Sequence, residues 1–185
     1  MTDRRSPNET DILTLAKALS SFQVEYVLIG GAAMALHGFP RMTKDIDLLL
    51  PVDSANNARL LHALATIEDN KEALEKLKPE WLDQGYSTAL EGGEISIDLL
   101  YVAASLPFDK LRQYVKSIVL NGISVVTLDV DGMLLTKKTD REEDIPDRLK
   151  LGRLKQAMQR ERDQLKKVSE DSAVHPRSPD DEPGL

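Results

Sequence analysis

The stretch YVLIGGAAMALHGFPRMTKDIDLLLPVD, Tyr26 to Asp53, decides the fold. Its first third is a short apolar run of β-forming residues that stops at Gly30-Gly31, as a buried strand does. AAMALHG then reads as a short helix closed by Gly38 and Pro40, and KDIDLLLPV as a second strand ended by Pro51. Strand, glycine turn, short helix and strand in quick succession make this a mixed α/β unit. The unusual part is Asp45-Ile46-Asp47 at the mouth of Leu48, Leu49 and Leu50. Carboxylates against a core strand are costly unless a cation pairs with them.

The pattern continues on both sides. Upstream, Ser6-Pro7-Asn8-Glu9 has the form of a capping box with proline at the first helical position. Ile12, Leu13, Leu15, Ala16 and Leu19 then recur at helical spacing, so a first helix is expected to end near Ser21. Downstream, the apolar positions between Asp53 and Leu77 predict one helix, or two parted near Asp69-Asn70. Leu90 to Gly93 is a turn before EISIDLLYV, where Ile95, Ile97 and Leu99 alternate with Glu94, Ser96 and Asp98 as in a half-buried strand. β-Branched runs on both sides of Asn121-Gly122 predict a hairpin. Two helices follow, DVDGMLLTKKTD and a long charged one to Lys167, with Pro146 marking a boundary between Asp144 and Asp147. The expected fold is therefore α/β (α+β), a small mixed sheet with flanking helices. The main domain spans 1–140, a C-terminal helical segment 141–167, and a disordered tail 168–185, where Ser, Asp, Pro and Gly replace apolar periodicity.

Composition narrows the chemistry. With 41% hydrophobic and 30% charged residues in 185, the chain has the make-up of one globular domain with short appendages. The first residues lack the pattern of a secretory signal and no run is long enough for a membrane span, so a cytoplasmic protein without membrane contact is expected. There are no cysteines and only three histidines, which leaves carboxylates as metal ligands and favours a hard ion, Mg2+ or Mn2+. The net charge of −7 argues against a broad grip on nucleic acid, although 131–167 is locally basic.

On a strand, residues i and i+2 share a face, so Asp45 and Asp47 project together, about 6.5–7 Å apart at Cα. Asp98 is a third candidate on a neighbouring outward face. Three converging carboxylates repel one another when empty and become reasonable when a dication neutralises them. Gly30 and Gly31 supply side-chain-free backbone between strand and helix, where a phosphate can come close to unpaired amides. Phosphates on amides, joined by metal ions to carboxylates, are the working parts of phosphoryl or nucleotidyl transfer.

The combination IGGAAMALHGFPRMTKDIDLLL resembles the core motif of the polymerase-β-type nucleotidyltransferase superfamily, hG[G/S] followed by DhD. More narrowly it is similar to small bacterial members that include the abortive-infection and toxin–antitoxin nucleotidyltransferases. The resemblance covers 24–102 and, more loosely, LLTKKTDREEDIPDRLKL. It implies that Gly30 and Gly31 contact the triphosphate of an NTP, that Asp45 and Asp47 hold the metal ions, and that Asp98 binds the metal near the acceptor hydroxyl and helps to deprotonate it. It further implies that Lys137 or Lys138 neutralises the leaving phosphates. Arg41 and Thr43 either position phosphate or orient Asp45, and His37 is a packed or capping histidine. Within DREED, Glu142 and Glu143 reduce the basic character of the segment.

The implied reaction is metal-dependent transfer of an NMP group from an NTP to a hydroxyl of an RNA 3′ end or a protein. A toxin–antitoxin or phage-defence role with a cognate toxin or antitoxin partner goes with it. The alternatives are an aminoglycoside- or lincosamide-type antibiotic nucleotidyltransferase and a non-catalytic nucleotidyltransferase-like binding module.

Overall fold

The computed structural model describes residues 4–91 and 93–174, with side chains described to Glu170. In chain order the helices and strands are α1 (Glu9–Ser21), β1 (Val27–Ile29), α2 (Gly30–Leu36), β2 (Asp45–Leu49), α3 (Ser54–Ala65), α4 (Lys71–Lys76), α5 (Pro79–Asp83), β3 (Thr88–Leu90), β4 (Ser96–Leu100), β5 (Val102–Ala103), β6 (Leu106–Pro107), α6 (Phe108–Leu111), β7 (Val115–Leu120), β8 (Ile123–Leu128), α7 (Val130–Thr136) and α8 (Asp144–Val174). Among the described residues six strands form one mixed sheet in the order β3-β4-β2-β1-β8-β7. The α/β expectation holds. No helix among the described residues is long and apolar enough to cross a membrane.

The two strands of the opening stretch lie side by side. β1 pairs antiparallel with β2, setting Leu28 opposite Leu48 and Ile29 opposite Asp47. Alternation along β2 then divides the sheet into two functions. Ile46 and Leu48, both fully buried, share a packed layer with Leu28, Val125 and the α1 residues Ile12, Leu15 and Leu19. Asp45 and Asp47 emerge on the other face. Each of those large side chains contributes roughly 1.5–3 kcal/mol when buried, so the register of β2 is fixed by its leucines and the aspartates follow.

Several local expectations shift. The cap of α1 is Asn8 rather than Ser6: its side chain accepts from the Asp11 amide at 3.2 Å, and the Asp11 carboxylate accepts from the Asn8 amide at 2.8 Å. Asp11 is also paired with Arg5, which favours this register of the box over the earlier one. The segment after Asp53 divides into α3, a 3₁₀ turn at Glu68–Asn70, and α4, near the break expected. On β4, Ile97 and Leu99 are buried while Asp98 and Leu100 on the other face are partly exposed, as a half-buried strand requires; only Ser96, 7% exposed, is covered on that face. The Asn121-Gly122 hairpin forms, with both residues at positive φ, 50° and 77°. Pro146 opens α8 instead of breaking it, because amides in a first helical turn have no intrahelical partner to lose. α8 also runs past Lys167 to Val174, and 175–185 lie outside the described residues.

Candidate active site

β2 and β4 are parallel neighbours in a register that sets Asp47 beside Asp98 and Asp45 beside Ser96. Adjacent in-register positions point to the same face about 4.8 Å apart, so Asp98 joins the β2 pair. All three carboxylates line one cavity of about 480 Å³. Burial, followed by the charges of Asp45 and Asp98, pushes Asp47 up to about 7, while Lys137 and Arg141 pull the other way. Asp98 is raised for the same reasons, burial first and then Asp45 and Glu91.

The glycines explain why Asp47 can stand there. Gly30 has φ +69°, and a Cβ on it would lie 1.8 Å from Asp47 Oδ2; one on Gly31 would lie 2.7 Å from Thr43 Oγ1. The turn is thus made of glycine because the β2 carboxylate and the loop before β2 press against it. A Gly30→Ala variant is expected to displace the Asp47 carboxylate and lower stability by about 1–3 kcal/mol. Thermal unfolding checks this, and an unchanged midpoint would refute the contact.

Thr43 Oγ1 lies within hydrogen-bonding distance of both Asp45 Oδ1, at 3.2 Å, and the Asp45 carbonyl, at 3.3 Å. His37 is half-buried and donates from Nε2 to the Leu128 carbonyl at 2.9 Å. Burial, then the nearby Lys116 charge, lowers its pKa, in keeping with a packed neutral histidine that ties α2 to β8.

The two lysines separate. Lys138 is exposed and does not line the cavity. Lys137 lines it, is 5% exposed, and its Nζ lies 2.9 Å from both Asp144 Oδ1 and Asp147 Oδ2. Thr139 Oγ1 donates to the other Asp144 oxygen, and Arg148 Nη1 donates to the carbonyls of Lys137 and Thr139. Burial works to raise Asp144, but the hydrogen bonds from Thr139 and Lys137 outweigh it and hold its pKa below the usual carboxylate range. Arg41 reaches the same cluster, with Nε 3.3 Å from Asp147 Oδ2.

Sequence reasoning missed Arg141, Asp144 and Asp147. Arg141 and Asp144 line the cavity. Acids at a helix start ordinarily read as partners of the helix dipole, and only tertiary packing buries these two. The lead-in to α8 therefore builds one wall of the site.

Among the described residues no three His, Asp or Glu side chains are arranged to hold a metal ion as they stand. The donor set still fits magnesium or manganese: it is all carboxylate oxygen, and its mutual repulsion is what a dication relieves. Magnesium in particular is usually held by one or two carboxylates together with substrate phosphates and water, rather than by an all-protein cage.

Residues 10–102 match the model of a family described as "Nucleotidyltransferase of unknown function (DUF6036)". The chain belongs to that family. The matched segment runs from α1 through β4 and includes Gly30, Gly31, Asp45, Asp47 and Asp98. This family member is also similar to an antigenic nucleotidyltransferase-like protein from Paracoccidioides brasiliensis, with 22% identity, 78% of this chain and 75% of that one covered, and a TM-score of 0.49. It is similar to a candidate nucleotidyltransferase from Thermotoga maritima at 16% identity, 83% and 89% coverage, and a TM-score of 0.44. No curated protein matches the chain.

Proposed function

We propose that this protein transfers an NMP group from an NTP to a hydroxyl acceptor with the help of magnesium or manganese. The observation that carries the reading is the single cavity in which Asp45, Asp47 and Asp98 face the Gly30-Gly31 turn, with Lys137 and Arg141 on the same lining. Asp45 and Asp47, with Asp98 beside them, are the residues that would hold a divalent ion, which when bound would neutralise charge on the phosphates and the attacking oxygen.

The chain's own groups do the rest. Amides at the glycine turn seat phosphate oxygens, and Thr43 holds Asp45 in place. Lys137 and Arg141 offset the charge that builds on the departing pyrophosphate. A second cavity of about 730 Å³ adjoins the first and shares Met42, Thr43, Lys44, Asp45 and Asp98 with it. Its other walls come from Arg4, Arg5 and the β3 edge. The acceptor enters on that side, where Asp98 takes its hydroxyl proton as the oxygen bonds to the α-phosphorus and the bond to the pyrophosphate oxygen breaks. The raised pKa of Asp98 suits it to receive that proton. The acceptor class follows from a different feature: the basic stretch from Arg148 to Lys167 favours an RNA 3′ end or a protein over a small antibiotic.

Incubation of the protein with each α-labelled NTP and magnesium or manganese, with RNA, cell protein and antibiotics offered in parallel, tests the reading. Label is expected on one macromolecular pool, and none with the Asp45→Asn/Asp47→Asn double variant. Equal labelling by that variant would overturn the assignment, and no label from any NTP would favour the non-catalytic binding module.

A further inference from the structure

Two of the cations at the site share one buried carboxylate oxygen. Asp147 is fully buried, and its Oδ2 lies 2.9 Å from Lys137 Nζ and 3.3 Å from Arg41 Nε. These are ion pairs by distance without hydrogen-bond alignment, and Asp147 Oδ1 has no hydrogen-bond partner among the described residues. Lys137 comes from the end of α7 and Arg41 from the loop before β2, and the two meet at this carboxylate. Left alone, two like charges this close would repel each other. Asp144 does not do this: among the described residues it pairs with Lys137 and Thr139 and not with Arg41.

Both cations also line the cavity. Arg41 lies against the glycine turn, with its Cζ 3.4 Å from where a Gly31 Cβ would be. Its Nε faces Asp147 and its Nη1 donates to the Met42 carbonyl at 3.4 Å, so Nη2 is the nitrogen left to meet a phosphate oxygen beside the turn. Lys137 stands on the side of the cavity formed with Thr136, Arg141 and Asp144. A ligand spanning both needs negative charge on more than one phosphate.

We propose that Asp147 is a positioning residue that holds Arg41 and Lys137 as a matched pair for a polyphosphate chain, so that the cavity distinguishes a nucleoside triphosphate from a monophosphate. Asp147 touches no substrate; it acts through the two cations. The proposal rests on the nucleotide reading of the same cavity.

The test is calorimetric binding of magnesium complexes of the four NTPs and of inorganic tripolyphosphate, with the NMPs as comparison, to the full chain and to Asp147→Asn. The variant is expected to bind NTP and tripolyphosphate about tenfold more weakly, with NMP affinity unchanged. Wild-type protein that binds neither NTP nor tripolyphosphate overturns the nucleotide reading and this proposal with it. Wild-type binding with an unaffected variant, or an equal loss for NTP and NMP, overturns the positioning role alone. Should Asp147→Asn fail to fold, Arg41→Gln, at a part-exposed loop position, is expected to give the same selective loss, and an Arg41→Gln affinity equal to wild type sinks the proposal.

Discussion

Asp47→Asn is expected to make the metal-free protein more stable at pH 8 than the wild type, while abolishing nucleotidyl transfer. The sign follows from the carboxyl group's position in the fold. Its pKa is pushed from an ordinary value of 3.8 up to about 7, chiefly by burial and then by Asp45 and Asp98. The folded chain thus keeps a proton that the unfolded chain releases above about pH 4. The stability this group contributes is complete below that pH, declines as pH rises through about 7, and is gone above it. A gap of that size corresponds to at most about 4 kcal/mol. An asparagine cannot ionise, so the variant lacks the decline. Unfolding midpoints between pH 5 and 8, with chelator present, check this; parallel curves for the two proteins would refute it. Added magnesium is expected to raise the wild-type midpoint at pH 8 and leave the variant's nearly unchanged, since a bound dication stabilises only the state that holds it.

Lys137→Met is the second large effect. It removes the cation that, among the described residues, pairs with both Asp144 and Asp147, which are 2% and 0% exposed. Breaking a buried pair from one side costs about 3–5 kcal/mol because the remaining charge has lost its partner. Urea unfolding is expected to show that loss, and adding Asp147→Asn to the same chain to recover part of it, because the second change removes one stranded charge. If the double variant is less stable than Lys137→Met by the full cost of Asp147→Asn alone, the two residues act independently and the cluster is not a unit.

What could be read in advance, and what could not, divides along the range of the interactions. β1, α2 and β2 were legible because Tyr26 to Asp53 carries its own punctuation: apolar runs, a glycine pair, and Pro51. The Asp45–Asp47 pair was legible because strand alternation alone places it. Asp98 was a candidate by alternation, yet its meeting with Asp47 depends on the β2–β4 register, which leucines on both strands determine and no local signal announces. β3 went unread: three residues, Thr88 to Leu90, form a strand because β4 offers an edge to pair with. The β5–β6 hairpin was equally silent, since its turn uses Ala104 and Ser105 at φ 47° and 64°, where a glycine or asparagine would have signalled it. The Lys137 cluster was hidden for a different reason. Buried charges look like surface charges in a sequence until their partners are brought to them, and here the partners come from three separate segments.

That the start of α8 walls the cavity has a consequence for how the protein comes into being. A ribosome adds residues from the N-terminus at about 5–20 per second, so the sheet, the glycine turn and all three aspartates are synthesised before Asp144 and Asp147. Until those two leave the exit tunnel, Lys137 and Arg41 have no counter-charge and the carboxylates of β2 and β4 face an unfinished wall. The nascent chain thus carries its three aspartates before the α8 side of the cavity exists, so the order of synthesis puts the sheet first and the wall last.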